Sequence, residues 1–215
     1  MLSAEIKFMS RFRRTAPSVA SNYVSLVATG VYSLASVPLA LHYLSGERFG
    51  LWTLMASITA YLSLIDLGMS AATSRLLIDH KDDPVNQSYG SRMKTGWLVS
   101  TLQGMAVLIT GYFAAPLLAH FLNHTDWQDA SLRMEFIQLV RWQCVVVAFA
   151  FTTRIFSQLL YAHQRMDLAN YAQVGTLLLN FILQWFFFHN GHGVFSLIWA
   201  GLASSILGVT VVVIV

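Results

Sequence analysis

The stretch Leu44-Ser45-Gly46-Glu47-Arg48-Phe49-Gly50-Leu51-Trp52 leads through Tyr61-Leu62-Ser63-Leu64-Ile65-Asp66-Leu67-Gly68-Met69 to Arg75 and Leu77. From Phe49 onward its only charged side chains are Asp66 and Arg75. A helix crosses a bilayer with about 20 apolar residues, and this run is longer. Either it tilts, or its end beyond Asp66-Leu67-Gly68 projects into the cytoplasmic interface, with Gly68 as a flex point.

The rest of the chain repeats the pattern. Five more apolar stretches run from about Pro17 to Tyr43, Gly96 to Leu122, Phe136 to Ala162, Leu168 to Phe188 and Val194 to Val215. The runs are too long for strands and lack the alternation of a membrane barrel. Of the 215 residues, 56% are hydrophobic and only 11% charged, with a mean hydropathy of +0.58. Soluble domains carry roughly 25% charged residues, so a water-facing fold is excluded. The expectation is an all-α membrane protein with six spans. Its single cysteine, Cys144, lies in an apolar run and reads as a small buried residue.

Lys and Arg set the orientation. Ten of the 13 fall on one side: Lys7, Arg11, Arg13, Arg14, Arg75, Lys81, Arg92, Lys94, Arg154 and Arg165. Only Arg48, Arg133 and Arg141 lie on the other. The N-terminus is therefore expected in the cytoplasm, with the loops His42–Arg48, Asn123–Arg133 and His189–Gly193 facing out. This bias accounts for the pI of about 9.2, and nucleic-acid binding has no support. Residues 1–14 read as a cytoplasmic amphipathic segment. Leu2, Ile6 and Met9 share one face and Lys7, Arg11 and Arg14 another, suited to an anionic leaflet. A basic tail that only fixes topology explains the same residues. Residues 15–215 form the transmembrane lobe.

Polar residues recur at helical spacing inside the spans. Span one carries Ser18, Asn22, Ser25, Thr29, Ser33 and Ser36; span two Thr59, Ser63, Asp66, Ser70 and Thr73. Span three has Gly96, Ser100, Gln103 and Thr110, with Gly104 and Gly111 beside them, and span five Gln173, Asn180 and Gln184. Such stripes mark inward faces. They serve either close helix packing or a wet central cavity for a polar solute.

Charges at membrane depth are costly and are functional candidates by default. Asp66 lies roughly 25 Å along its helix from Phe49. It can contact a solute or cap a helix break. Arg75 is nine residues on, so a direct pair with Asp66 needs a break at Gly68; Asp79 is its alternative partner. Arg141 can snorkel outward or offer charge to an anion, and Arg154 is its inner-side equivalent. An enclosed guanidinium suits phosphate, whose oxygens it binds bidentately. No phosphate-binding loop of the ATPase type, metal-ligand cluster or catalytic carboxylate pair is legible, so no enzyme activity, metal or cofactor is expected.

The residues Gly46, Phe49, Gly50 and Trp52, followed by Asp66, Gly68 and Arg75, resemble the opening of the polysaccharide-biosynthesis (O-antigen) flippases. These belong to the multidrug/oligosaccharidyl-lipid/polysaccharide exporter superfamily. The resemblance covers about 30 residues. It implies one six-helix lobe of a two-lobe MATE-like carrier that moves polyprenyl-diphosphate-linked oligosaccharide across a bacterial inner membrane by alternating access. It also implies lipid-linked oligosaccharide, membrane lipids and polysaccharide polymerase machinery as partners. The candidate substrate-binding residues are then Arg75, Arg141, Arg154, Asp66, Asn22, Ser25, Thr29, Ser63, Gln103, Asn180 and Gln184. Family members have two such lobes, so a chain of this length is expected to be a truncated form or a half-size dimer. The rival readings are a cation-coupled multidrug or small-solute exporter of the same architecture, and a glycosyltransferase or scaffold of polysaccharide assembly.

Overall fold

In a bilayer every backbone N–H and C=O must be satisfied within its own segment, so long apolar runs become helices. A computed structural model describes the backbone of residues 2–66, 68–79, 86–122, 130–163 and 165–214. Side chains at 2–17, 63, 65, 76–77, 86–89, 122, 130 and 213–214 are not described. The described residues form seven α-helices: α1 (Leu2–Tyr43), α2 (Gly46–Ser63), α3 (Met69–Asp79), α4 (Asn86–Leu122), α5 (Ala130–Ala162), α6 (Met166–His189) and α7 (Phe195–Ile214).

Five helices are long and apolar enough to span a membrane: those containing Ser18–Tyr43, Gly90–Phe121, Ser131–Ala162, Met166–His189 and Phe195–Val212. The expected second span departs from this. It divides into α2, a 3-10 turn over Leu64–Asp66, and α3. Gly68 stands between them in the left-handed region at φ 80°, which a side chain would disfavour. The 18 residues of α2 reach about 27 Å, just short of the hydrocarbon thickness of about 30 Å, and Glu47 and Arg48 occupy its first turn. The six-span count therefore does not transfer directly to the structure. The flex point expected at Gly68 is a helix break.

Two other expectations change. The residues expected as a separate amphipathic segment are continuous with the first span in α1; the faces proposed for Met1–Arg14 lie outside the described side chains. Helix α4 begins at Asn86 rather than at Gly96, because polar residues continue a helix that apolar runs alone do not delimit. Most of the Asn123–Arg133 loop lies outside the described residues.

Helix α5 is the hub and packs on α2, α3, α4, α6 and α7, while α6 also packs on α1 and α7. The main core lies at one end of the bundle. There Phe136, Leu139, Val140 and Cys144 of α5 meet Leu51 and Met55 of α2, Ala115 and Ala119 of α4, and Ile198 of α7. The other end holds only small clusters, Val107–Val147–Phe151 and Ile155–Ala162.

The α4–α5 contact is set by glycine. A Cβ at Gly104 would stand 2.8 Å from the Ala148 carbonyl oxygen, and one at Gly111 would overlap the Cys144 thiol. Gly96, Ser100, Gly104, Val107, Ala115 and Ala119 are buried along one side of α4, whereas Thr110 is exposed. The polar stripe read in span three is thus largely a packing seam. The backbone obstacle at Gly104 cannot rotate away, so Gly104→Ala should destabilise the protein by about 1–3 kcal/mol. Gly111→Ala should do the same, but with partial rescue by Cys144→Ala, which removes the obstructing sulfur. Thermal unfolding in detergent checks both; equal midpoints for Gly111→Ala with and without Cys144→Ala would contradict this account.

Candidate functional site

Two polar regions interrupt the apolar packing. The first is a cavity of about 550 Å³ between α1, α2, α5, α6 and α7. Its polar lining comes from Tyr32, Ser33, Ser36, Thr59, Gln143, Asn180 and Gln184, with Trp52 on one wall. None of its described lining residues is charged. Its amides are held by one another. The Gln184 amide nitrogen donates to the Tyr32 hydroxyl at 2.7 Å and to the Asn180 side-chain oxygen at 2.7 Å. The Tyr32 hydroxyl donates to that same oxygen at 2.9 Å, and the Asn180 nitrogen donates to the Ser204 hydroxyl at 2.9 Å. Across the cavity, the Gln143 nitrogen donates to the Thr59 hydroxyl at 3.0 Å. Three helices are tied by this network: α1 through Tyr32, α6 through Asn180 and Gln184, and α7 through Ser204.

The second region lies at the less tightly packed end. Arg154 of α5 meets Asp66 at 2.7 Å, where the 3-10 turn ends. Ser70, the second residue of α3, donates to the same Asp66 oxygen at 2.8 Å and accepts from Arg154 at 2.9 Å. The guanidinium also sits over the Phe151 ring, 4.7 Å from its centroid. Arg154 borders a further cavity of about 610 Å³ between α5, α6 and α7, with Ser157, Tyr161, Gln173, Thr176 and Ser205.

The predicted residues divide between these regions and other surfaces. Asn180 and Gln184 line the first cavity; Asp66 and Arg154 form the ion pair of the second region. The partner of Asp66 is therefore on α5, and neither Arg75 nor a cap at the break is needed to account for it. Arg75 is exposed on α3. Arg141 is half-buried with its guanidinium 4.2 Å from the Tyr112 ring centroid, and its buried Nε has no hydrogen-bond partner. It borders neither cavity. In α1, Ser25 is buried, while Asn22 and Thr29 are exposed and the Thr29 hydroxyl donates to the Ser25 carbonyl at 2.8 Å. Ser21, also buried in that helix, accepts a hydrogen bond from Asn170 at 3.0 Å. Gln103 is half-buried on α4, and the Ser63 side chain lies outside the described residues.

Sequence reasoning missed Tyr32, Gln143 and Ser70 as site residues. Gln143 carried a usable signal, an amide within an apolar run at membrane depth. Tyr32 did too, lying seven residues after Ser25 and four before Ser36.

The fold is known. The chain is similar to the structure of a MOP superfamily transporter from Pyrococcus furiosus, described as having a binding pocket of reversed polarity that suggests a different function. The TM-score is 0.77 at 15% identity, covering 93% of this chain and 43% of that one. It is equally similar to a multidrug resistance MATE family transporter of the same superfamily in an outward-facing conformation. There the TM-score is 0.75 at 15% identity, with coverage of 93% and 43%. No family model matches the sequence, and no curated protein matches it significantly. The chain spans less than half the length of either transporter.

The cavity network is open to direct measurement. Interhelical hydrogen bonds in membranes average about 0.6 kcal/mol, with a maximum near 1.7. A double-mutant cycle of Tyr32→Phe with Gln184→Leu should return a coupling in that range by reversible unfolding in detergent. Additive effects would place the two side chains apart. The chain thus has the fold of one half of a MOP superfamily transporter and is a multi-pass membrane protein.

Proposed function

We propose that the chain forms one lobe of an alternating-access carrier in a bacterial cytoplasmic membrane. Its cargo is polyprenyl-diphosphate-linked oligosaccharide, moved outward for assembly of O-antigen, capsule or exopolysaccharide, in company with the polymerase machinery. The observation that carries this reading is the uncharged lining of the first cavity. Amides and hydroxyls from Tyr32, Thr59, Gln143, Asn180 and Gln184 both donate and accept, as sugar hydroxyls require, and Trp52 offers an apolar ring beside them. A permanently cationic cargo would be better served by a carboxylate there, and the cavity has none among its described lining residues.

In cells lacking the native gene, the full-length protein should restore surface polysaccharide. At equal expression, Asn180→Leu and Gln143→Leu should each reduce it by about tenfold, the loss expected when a part-buried polar contact to cargo is removed. Unchanged polysaccharide with both variants would defeat the reading.

A second reading is a cation-coupled exporter of drugs or small solutes. Asp66, a carboxylate at membrane depth, favours it, as does the similarity to a multidrug transporter. It predicts drug susceptibility in place of polysaccharide loss when the gene is deleted, and Asp66→Asn should then abolish export.

The ten-to-three distribution of Lys and Arg supports a cytoplasmic N-terminus. A cytoplasm-active reporter fused before Met1 should be active, and a periplasm-active one silent; the reverse pattern would invert the assigned topology.

A further inference from the structure

The first cavity and the cavity beside Arg154 lie in one seam. On α5 the first is lined by Gln143 and Val146, and the other by Ala150, Thr153 and Ser157. On α7, Ile198 and Gly201 are followed by Ser205 and Gly208; on α6, Gln184 and Asn180 are followed by Thr176 and Gln173. Along each helix these positions are three or four residues apart, so one face of each helix serves both cavities. The cavities therefore follow one another along the α5–α6–α7 interface. From Leu139 in the first to Tyr161 in the other, the lined stretch of α5 is about 33 Å long, against a hydrocarbon thickness of about 30 Å.

The chemistry of this seam suits water. Beside Arg154, the hydroxyls of Ser157, Tyr161 and Ser205 and the Gln173 amide have no hydrogen-bond partner among the described residues. Unpartnered polar groups are costly in apolar surroundings, and in a polar space of this size water satisfies them. The described lining of the two cavities carries one guanidinium and no carboxylate, which favours water and small uncharged solutes over cations. Between the cavities, Gly201 of α7 faces Val146 of α5 and Asn180 of α6. A Cβ at Gly201 would stand 3.9 Å from Val146 Cγ1 and 4.0 Å from Asn180 Nδ2, so the glycine leaves the space of one methyl group at this level. The Asn180 nitrogen is held there by the Ser204 hydroxyl at 2.9 Å. Interhelical hydrogen bonds in membranes are weak, so this side chain can swing away while every helix stays folded.

We propose that the two cavities are the halves of one water-conducting column through the α5–α6–α7 interface, with its neck at Gly201 and Asn180, and that movement of Asn180 away from Ser204 opens the neck. The inference goes beyond the transport reading, because water crosses such a column without any cargo. It also gives Gly201 a role that packing does not. A side chain fits there without a clash, so the fold does not require glycine, whereas an open neck does.

The test uses the full-length protein in phosphatidylcholine liposomes, with shrinkage after an osmotic jump followed by light scattering. Vesicles carrying the protein should shrink faster than empty ones. Gly201→Ala, whose methyl group meets only ordinary contacts, should fold like the unmodified protein and slow the shrinkage. Gly201→Leu should return it to the rate of empty vesicles, and Asn180→Ala should speed it. Gly201→Cys in a Cys144→Ala background makes the test independent of folding. A methanethiosulfonate reagent should slow the shrinkage, and dithiothreitol should restore it in the same preparation. Gly175 lines neither cavity and a Cβ there meets nothing within 4 Å, so Gly175→Leu should leave the rate unchanged. With a pH-sensitive dye inside, proton entry should match that of empty vesicles for every variant. Shrinkage no faster than in empty vesicles would overturn the column. So would a fast rate that survives both Gly201→Leu and the thiol block, which would place the path of water elsewhere. Proton entry that rises and falls with the water flux would overturn the exclusion of cations. Polysaccharide export plays no part in the readout, so the column and the transport reading stand or fall separately.

Discussion

The close approach of α4 to α5 is the contact on which the helix bundle depends. In lipid the hydrophobic effect does not drive helices together, so association relies on van der Waals fit and interhelical hydrogen bonds. At Gly104 the α4 backbone lies so near the Ala148 carbonyl that no Cβ fits, and Gly111 leaves room for the Cys144 thiol. This fit holds α5 against α4 and leaves its other faces to α2, α3, α6 and α7. Cys144 is thus a packing residue, sized for the space beside a glycine.

From that seam the two ends of the bundle develop differently. At one end, Phe136, Leu139, Val140 and Cys144 close a dry core with α2, α4 and α7. At the other end the clusters are small, and Asp66, Ser70 and Arg154 satisfy one another between α3 and α5. Between the two, Tyr32, Asn180 and Gln184 form a closed set of hydrogen bonds facing a cavity. Amides hydrogen-bonded to one another in this way avoid most of the cost of unsatisfied polar groups in lipid.

Much of this was legible in the sequence, because length and hydropathy act directly on a membrane helix. The spans containing Tyr32, Gln103, Cys144, Asn180 and Ser204 fall in helices where the apolar runs place them. The division of the second span was only half legible. Asp66 and Gly68 indicated a weak point, but apolar residues on both sides gave no indication that α2 would end at Ser63. Pairing between helices was not legible at all. Asp66 and Arg154 are 88 residues apart, and periodicity reports which face of its own helix a residue occupies, not which helix faces it. For the same reason Asn22 and Ser25 looked equivalent, until packing of the bundle buried Ser25 and left Asn22 exposed.

The break at Gly68 and the Asp66–Arg154 pair lie side by side. A lone charge at the centre of a membrane helix costs about 2.5–3.5 kcal/mol, so two isolated charges would weigh heavily on a bundle with little apolar core at this end. A direct ion pair at 2.7 Å with a shared serine reduces that penalty, but only if the carboxylate can reach α5. A continuous helix would fix the direction of Asp66 by the helical period and carry Ser70 along with it. The 3-10 turn and the positive φ at Gly68 change the course of the chain between α2 and α3, and the described geometry brings both Asp66 and Ser70 to Arg154. Asp66 and Ser70 stand on either side of the interruption, so their shared contact with Arg154 ties α5 to the second span both before and after the break.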